Sequence, residues 1–137
     1  VAEHHMLLNI EIKPTGIEEQ VLSVLKRNHF TTKAIISSFL WPVLESVRRL
    51  DSEVTTGLLY SHELIEPITI AQELAVNALH PHYRLVSPQL VEQCHDSDLE
   101  VNPWTVNDKQ EMQRLIDLAV DSIITDNPQQ LQELLNG

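Results

Sequence analysis

Lys33-Ala34-Ile35-Ile36-Ser37-Ser38-Phe39, then Pro42 to Leu50, then Val54-Thr55-Thr56-Gly57-Leu58-Leu59-Tyr60 is the run that decides the fold class. The two outer pieces are short and rich in apolar residues, as suits strands covered on both faces. The middle piece reads as a helix with Pro42 in its first turn, where a missing N–H costs little. Two such strands joined by a helix pair in parallel, because a parallel pair needs a crossover to carry the chain back.

The same alternation extends outward. Leu7 to Ile12 reads as a strand ending at Lys13-Pro14, and Gly16 to Asn28 as a helix with the apolar stripe Ile17, Val21, Leu22, Val24 and Leu25. Downstream, Ile65 to Glu73 reads as a short crossover, Leu74 to Leu79 as a strand closed by His80-Pro81, and Pro88 to His95 as a helix. Leu99 to Val106 reads as a strand, Asp108 to Leu118 as a helix capped by Asn107 or Asp108, and Asp121 to Thr125 as a sixth strand. A last helix, Pro128 to Leu135, takes Asp126 or Asn127 as its cap and stops at Asn136-Gly137. The expectation is one α/β domain over residues 1–137. Doubly wound and barrel sheets both fit this pattern. No Gly-rich phosphate loop of the dinucleotide-binding kind is present to support the first.

Composition limits the partners. Nine Lys and Arg against 20 Asp and Glu leave a net charge of −11. That field repels polyanions and argues against nucleic acid and anionic membrane surfaces. It leaves room for a small phosphorylated substrate, since one lysine or one metal ion dominates at contact distance. A single cysteine, Cys94, rules out an internal disulfide, so a reducing compartment is the default. No apolar run reaches the ~18 residues of a membrane span. No signal-peptide pattern opens the chain, and the expected location is cytoplasmic unless an export signal lies upstream.

Five segments, in order, carry a resemblance: Asn9-Ile10-Glu11-Ile12-Lys13-Pro14; Ile36-Ser37-Ser38-Phe39; Thr56-Gly57-Leu58-Leu59; Trp104-Thr105-Val106-Asn107; and Val120-Asp121-Ser122-Ile123-Ile124-Thr125-Asp126-Asn127-Pro128. Together they resemble the glycerophosphodiester phosphodiesterase family over nearly the whole chain. The resemblance implies a TIM (β/α)8-type barrel, here partial, with this chain supplying about six of the eight parallel strands. The family's His-Arg-Gly and Glu-x-Asp motifs do not occur in this sequence, and its His-Asp lies elsewhere. His95-Asp96 is such a dipeptide, but it ends a helix. Departures from the pattern are Ala119 and Ser122, and Asp96-Ser97-Asp98, where the family usually has glycine. They are expected to alter local loop shape.

Alternation along the first strand puts Glu11 and Lys13 on one face and Ile10 and Ile12 on the other. With the isoleucines toward outer helices, Glu11 and Lys13 are expected inside the barrel, at the strand's C-terminal end. The resemblance then implies that Glu11 is one carboxylate ligand of a divalent cation, Mg²⁺ or Ca²⁺, as oxygen ligation suits. It implies that Lys13 neutralises a phosphate oxygen and that Trp104 lines the pocket near the glycerol moiety, with Phe39 and Leu58 at its wall. From the residues alone, a Glu11–Lys13 ion pair without metal remains open, as do packing roles for Trp104, Phe39 and Leu58. The seven histidines form no zinc-type spacing with Cys94. They are read as surface or capping residues, although His80 falls at a strand end within reach of the pocket.

The implied reaction is hydrolysis of a glycerophosphodiester to glycerol 3-phosphate and an alcohol. The implied general acid and base are two histidines outside this chain, so the chain alone is expected to be inactive. The alternative is a non-catalytic binding or assembly module. Its exposed sheet edges would favour an oligomer or association with a separate N-terminal segment.

Overall fold

The computed structural model describes residues 8–137. His4, His5, Met6 and the predicted strand start at Leu7 lie outside the described residues. Among the described residues there are five strands: β1 Leu8–Glu11, β2 Ala34–Ser38, β3 Thr55–Tyr60, β4 Ala78–Pro81 and β5 Glu100–Val101. Six helices accompany them: α1 Glu18–Arg27, α2 Trp41–Leu50, α3 Pro67–Leu74, α4 Pro88–Asp96, α5 Lys109–Asp117 and α6 Pro128–Asn136. Every strand pairs parallel to the next, in the order β1-β2-β3-β4-β5. A doubly wound sheet reverses its strand order at a switch point. This one never does, so the chain winds in one direction, as a segment of a (β/α) barrel does.

The helices cover the outer face. Ile12, Ala34, Ile36 and Val54 pack with Leu25 of α1 and with Val43 and Val47 of α2. Leu58, Leu79 and Val101 pack with Leu44, Ala71, Leu74, Val91, Cys94, Met112 and Leu115 from α2 to α5. The alternate strand residues, Glu11, Ser37, Gly57, His80 and Asn102, are left for the inner face. Arg48 of α2 ties together the α2–β3 connection, the α3–β4 connection and the start of β3. It donates to Ala75 O at 3.0 Å, Val54 O at 2.7 Å, Thr56 Oγ1 at 3.0 Å and Asn77 Oδ1 at 2.8 Å.

Helix starts follow the sequence signals. Ser87, Asp108 and Asn127 each accept a backbone N–H three residues on, at 3.1, 3.1 and 3.2 Å. Asn107 is not a cap; its side chain holds Thr125, Asp126 N and Asp126 Oδ2. Helix ends follow no such signal. α1, α3, α4 and α5 are closed by His29, Ala75, Asp98 and Ala119, all at positive φ between 54 and 63°. Of the expected departures from glycine, Ala119 and Asp98 therefore keep a backbone conformation that glycine would adopt freely.

Three elements differ most from expectation, the first being the predicted strand Leu99 to Val106, which is regular only over Glu100–Val101 and then makes a single bridge at Trp104. The predicted strand from Leu74 begins at Ala78, because α3 runs through Leu74 and Ala75 turns left-handed. The predicted sixth strand, Asp121 to Thr125, is extended but irregular. It lies beside residues 101–106 through Asp121 N to Val101 O at 3.0 Å, Ile124 N to Pro103 O at 2.9 Å and Val106 N to Ile124 O at 2.9 Å. The Val101 N–H is taken by the Asp121 carboxylate at 2.8 Å, and Pro103 has no N–H. The ladder lacks the donors that a regular strand pair exchanges.

Candidate functional site

The carboxyl ends of the strands carry the polar and aromatic residues that matter. Ile12 is 1% exposed in the helix-side core, and its neighbours Glu11 and Lys13 are exposed. The predicted alternation therefore holds, but the predicted enclosure does not. β1 is the last strand of the sheet among the described residues, and no strand flanks it to close an interior around the pair. No ion pair joins Glu11 to Lys13 among the described residues, whose ion pairs are His95–Asp121 and Arg114–Glu111. Beside Glu11, Ser37 stands opposite in register and its hydroxyl donates to Asn9 Oδ1 at 3.0 Å.

Trp104 follows β5 and reaches across the sheet's end. Its ring meets Phe39, which follows β2, edge-on at 5.6 Å and 88°. It meets His82, which follows β4, edge-on at 5.3 Å and 79°. The indole Nε1–H donates to His80 O at 2.7 Å, so the ring is pinned by a backbone carbonyl. Trp104 is half-buried and Phe39 exposed, which makes them a wall rather than a core. Leu58, in contrast, is fully buried on the helix side, so it packs the core and does not line the mouth.

Beneath this wall lies a buried polar chain. The His80 ring rests over Gly57; a Cβ built on that glycine would come 2.3 Å from Nε2. Only glycine leaves the ring its space. Asn102 Nδ2 donates to His80 Nε2 at 3.1 Å, and Ser122 Oγ donates to Asn102 Oδ1 at 2.7 Å. With Nε2 accepting, the imidazole proton sits on Nδ1, which is buried and has no partner. Burial lowers the His80 pKa to about 4, so the ring is neutral at ordinary pH. His80 thus lies inside, not on the surface.

His82 is a mouth residue, where the sequence alone suggests a surface or capping role. It does cap: Nδ1 accepts Arg84 N–H at 3.2 Å. The same side chain stacks on Tyr83 at 4.4 Å and stands against Trp104. The signal for this lies in the strand period, which carries a residue two beyond His80 to the inner face at the strand's end. His95, as expected, ends α4, where its Nε2 pairs with Asp121 at 2.9 Å.

The oxygen-bearing side chains beside Glu11 in the sheet are Asn9, two residues before it on β1, and Ser37, its partner in register on β2; oxygen is the ligand type that a hard cation takes. Among the described residues no group of three His, Cys, Asp or Glu side chains could hold a metal ion. Among them, too, no helix is long and apolar enough to cross a membrane.

Comparison with known proteins accords with this architecture. The model of the glycerophosphoryl diester phosphodiesterase family matches residues 4–130. A glycerophosphodiester phosphodiesterase of Caldanaerobacter subterraneus is 38% identical over 98% of this chain and 58% of its own length. A phosphodiesterase of Oleispira antarctica, solved in complex with the product sn-glycerol-3-phosphate, superposes with a TM-score of 0.85 at 27% identity. That match covers 97% of this chain and 56% of the other. A glycerophosphodiester phosphodiesterase of Parabacteroides distasonis superposes with a TM-score of 0.80 at 28% identity, over 95% and 57% of the two chains. The chain thus spans a little over half the length of the relatives it matches. Its single-direction parallel sheet is part of their barrel, and the chain belongs to the glycerophosphoryl diester phosphodiesterase family.

Proposed function

We propose that this chain supplies the phosphate- and glycerol-binding side of an active site that hydrolyses a glycerophosphodiester to glycerol 3-phosphate and an alcohol. The observation that carries the reading is the Phe39–Trp104 contact at the strands' carboxyl ends, the same end at which Lys13 follows β1 and where barrels of this type place their chemistry. The Oleispira neighbour, solved with sn-glycerol-3-phosphate, supports the ligand class.

In this reading the Lys13 ammonium lies against a non-bridging phosphate oxygen and offsets charge that builds there in the transition state. Trp104, held by its bond to His80 O, gives the glycerol carbons a flat apolar wall, and Phe39 extends it. Glu11 contributes one oxygen to a Mg²⁺ or Ca²⁺ ion, which supplies Lewis-acid stabilisation when bound. One carboxylate is not a complete site, so other ligands, and the general acid and base, come from outside these residues. β1 has no partner on its outer edge among the described residues, and the reading assigns that edge to the strand that completes the barrel.

A hybrid tests this. The chain replaces the corresponding segment of the Caldanaerobacter relative, and hydrolysis of glycerophosphocholine is followed with Mg²⁺ or Ca²⁺. The hybrid is expected to be active, and Glu11→Gln and Lys13→Ala are each expected to lower kcat by about 10²–10³-fold. The isolated chain is expected to be inactive. Hydrolysis that survives both substitutions would overturn the site assignment.

A further inference from the structure

His82 makes three contacts that fix its ring and leave one atom free. Nδ1 accepts the Arg84 N–H at 3.2 Å, which places the proton of the neutral ring on Nε2. One face stacks on Tyr83 at 4.4 Å, and the ring stands at 79° to the Trp104 indole, 5.3 Å away. His82 and Trp104 are bridged in register, so the two rings lie level at the ends of neighbouring strands. Burial and then the Arg84 guanidinium lower the His82 pKa, which favours the uncharged ring. The Tyr83 carbonyl behind it is held by Arg114 Nη2 at 2.9 Å, so the turn that carries the ring is anchored to α5. Nε2 makes no hydrogen bond among the described residues.

Charge is divided across this face. The ammonium of Lys13 follows β1, and two strands, β2 and β3, separate β1 from β4. A substrate whose phosphate meets Lys13 presents its other end to the His82–Trp104 side. A neutral N–H beside an indole suits an uncharged oxygen on a carbon skeleton, and the nearby Arg84 guanidinium lies over the Tyr83 ring, 5.7 Å from its centroid. Resting on the proposed phosphate role of Lys13, we propose that His82 is a specificity-determining residue whose Nε2–H donates to a hydroxyl of the glycerol moiety lying on Trp104. The site then distinguishes glycerol phosphates from alkyl phosphates by this hydroxyl, because a site built to bond a hydroxyl loses that bond with an analogue lacking it.

The test uses the ¹⁵N-labelled chain, whose His82 imidazole signal is assigned by its loss in His82→Asn. The Asn side chain still accepts from Arg84 N–H but is too short to present a donor at the Nε2 position. The far-UV CD spectrum checks that the fold is kept. sn-Glycerol 3-phosphate and 1-propyl phosphate, which has the phosphate but no hydroxyl, are titrated separately to millimolar concentrations. The expected result is that only glycerol phosphate moves the His82 Nε2 resonance. His82→Asn then weakens glycerol phosphate about five- to tenfold and leaves propyl phosphate unchanged, while Lys13→Ala weakens both. Equal effects of His82→Asn on the two ligands, or none on either, with Lys13→Ala still weakening both, would overturn the role of His82 alone. Binding that is absent, or indifferent to Lys13→Ala, would overturn the site reading and the proposal with it.

Discussion

Cys94 illustrates how far one residue's chemistry depends on its neighbours. It is fully buried in the helix-side core. Burial, and then the nearby Asp121 charge, push its thiol up to about 12. The thiolate is the reactive form, so Cys94 is expected to be inert. Native protein should show no reaction with Ellman's reagent at pH 8, and one thiol per chain should appear on unfolding in guanidinium. A lone cysteine in a sequence carries no sign of this burial. Glu11 and Lys13 show the converse. Their types and spacing point to one face from the sequence alone, but their exposure depends on β1 having no outer neighbour among the described residues, which no residue near them encodes. His80 and His82 are two positions apart, yet one is buried over Gly57 and the other borders the mouth, a difference set by which residues face them across the sheet.

At the scale of elements, the helix bounds read from the sequence fall within two residues of those observed at both ends, but only some starts carry a side-chain cap and the left-handed ends carry no glycine. Ser87, Asp108 and Asn127 cap their helices with the side chains that the sequence offers. The ends of α1, α3, α4 and α5 use His29, Ala75, Asp98 and Ala119 in the left-handed region, where glycine would have marked them. Ala119 has no side-chain group to offset that conformation. Ala119→Gly is therefore expected to stabilise the protein by about 0.5–1 kcal/mol, the left-handed penalty of ~1–2 kcal/mol being reduced by the greater freedom of glycine in the unfolded chain. Urea denaturation with an unchanged slope measures it, and a loss of stability would contradict the conformational argument. The same missing signal at Ala75 hides the start of the strand at Ala78. The run from Asp121 reads as a strand by its apolar residues, but Pro103 across from it withholds a donor, and the propensity of one segment does not register its neighbour.

At the scale of the molecule, the buried polar chain His80–Asn102–Ser122 links stability to pH. The folded pKa of His80 is about 4, below its ordinary value of 6.5. Between these values the unfolded chain binds a proton that the folded chain refuses, so this contribution to stability is full above about pH 6.5 and is lost as pH falls toward 4. Unfolding in urea across pH 7 to pH 4 should show a falling midpoint, and His80→Gln should flatten that fall. An identical pH profile in both proteins would show that His80 plays no part.

Sequence by itself determined the α/β class, the parallel pairing, most helix starts and the family, because each rests on local periodicity, caps or short motifs that a single segment carries. Tertiary structure alone decided that regular pairing among the described residues stops at β5, within the one-directional winding that the family resemblance already implied. It also placed the His80 ring over Gly57, and set His82 and Phe39 against Trp104 from strands far apart in the chain. The physical reason is that such contacts depend on which strands become neighbours and in what register, and no residue's own side chain specifies that.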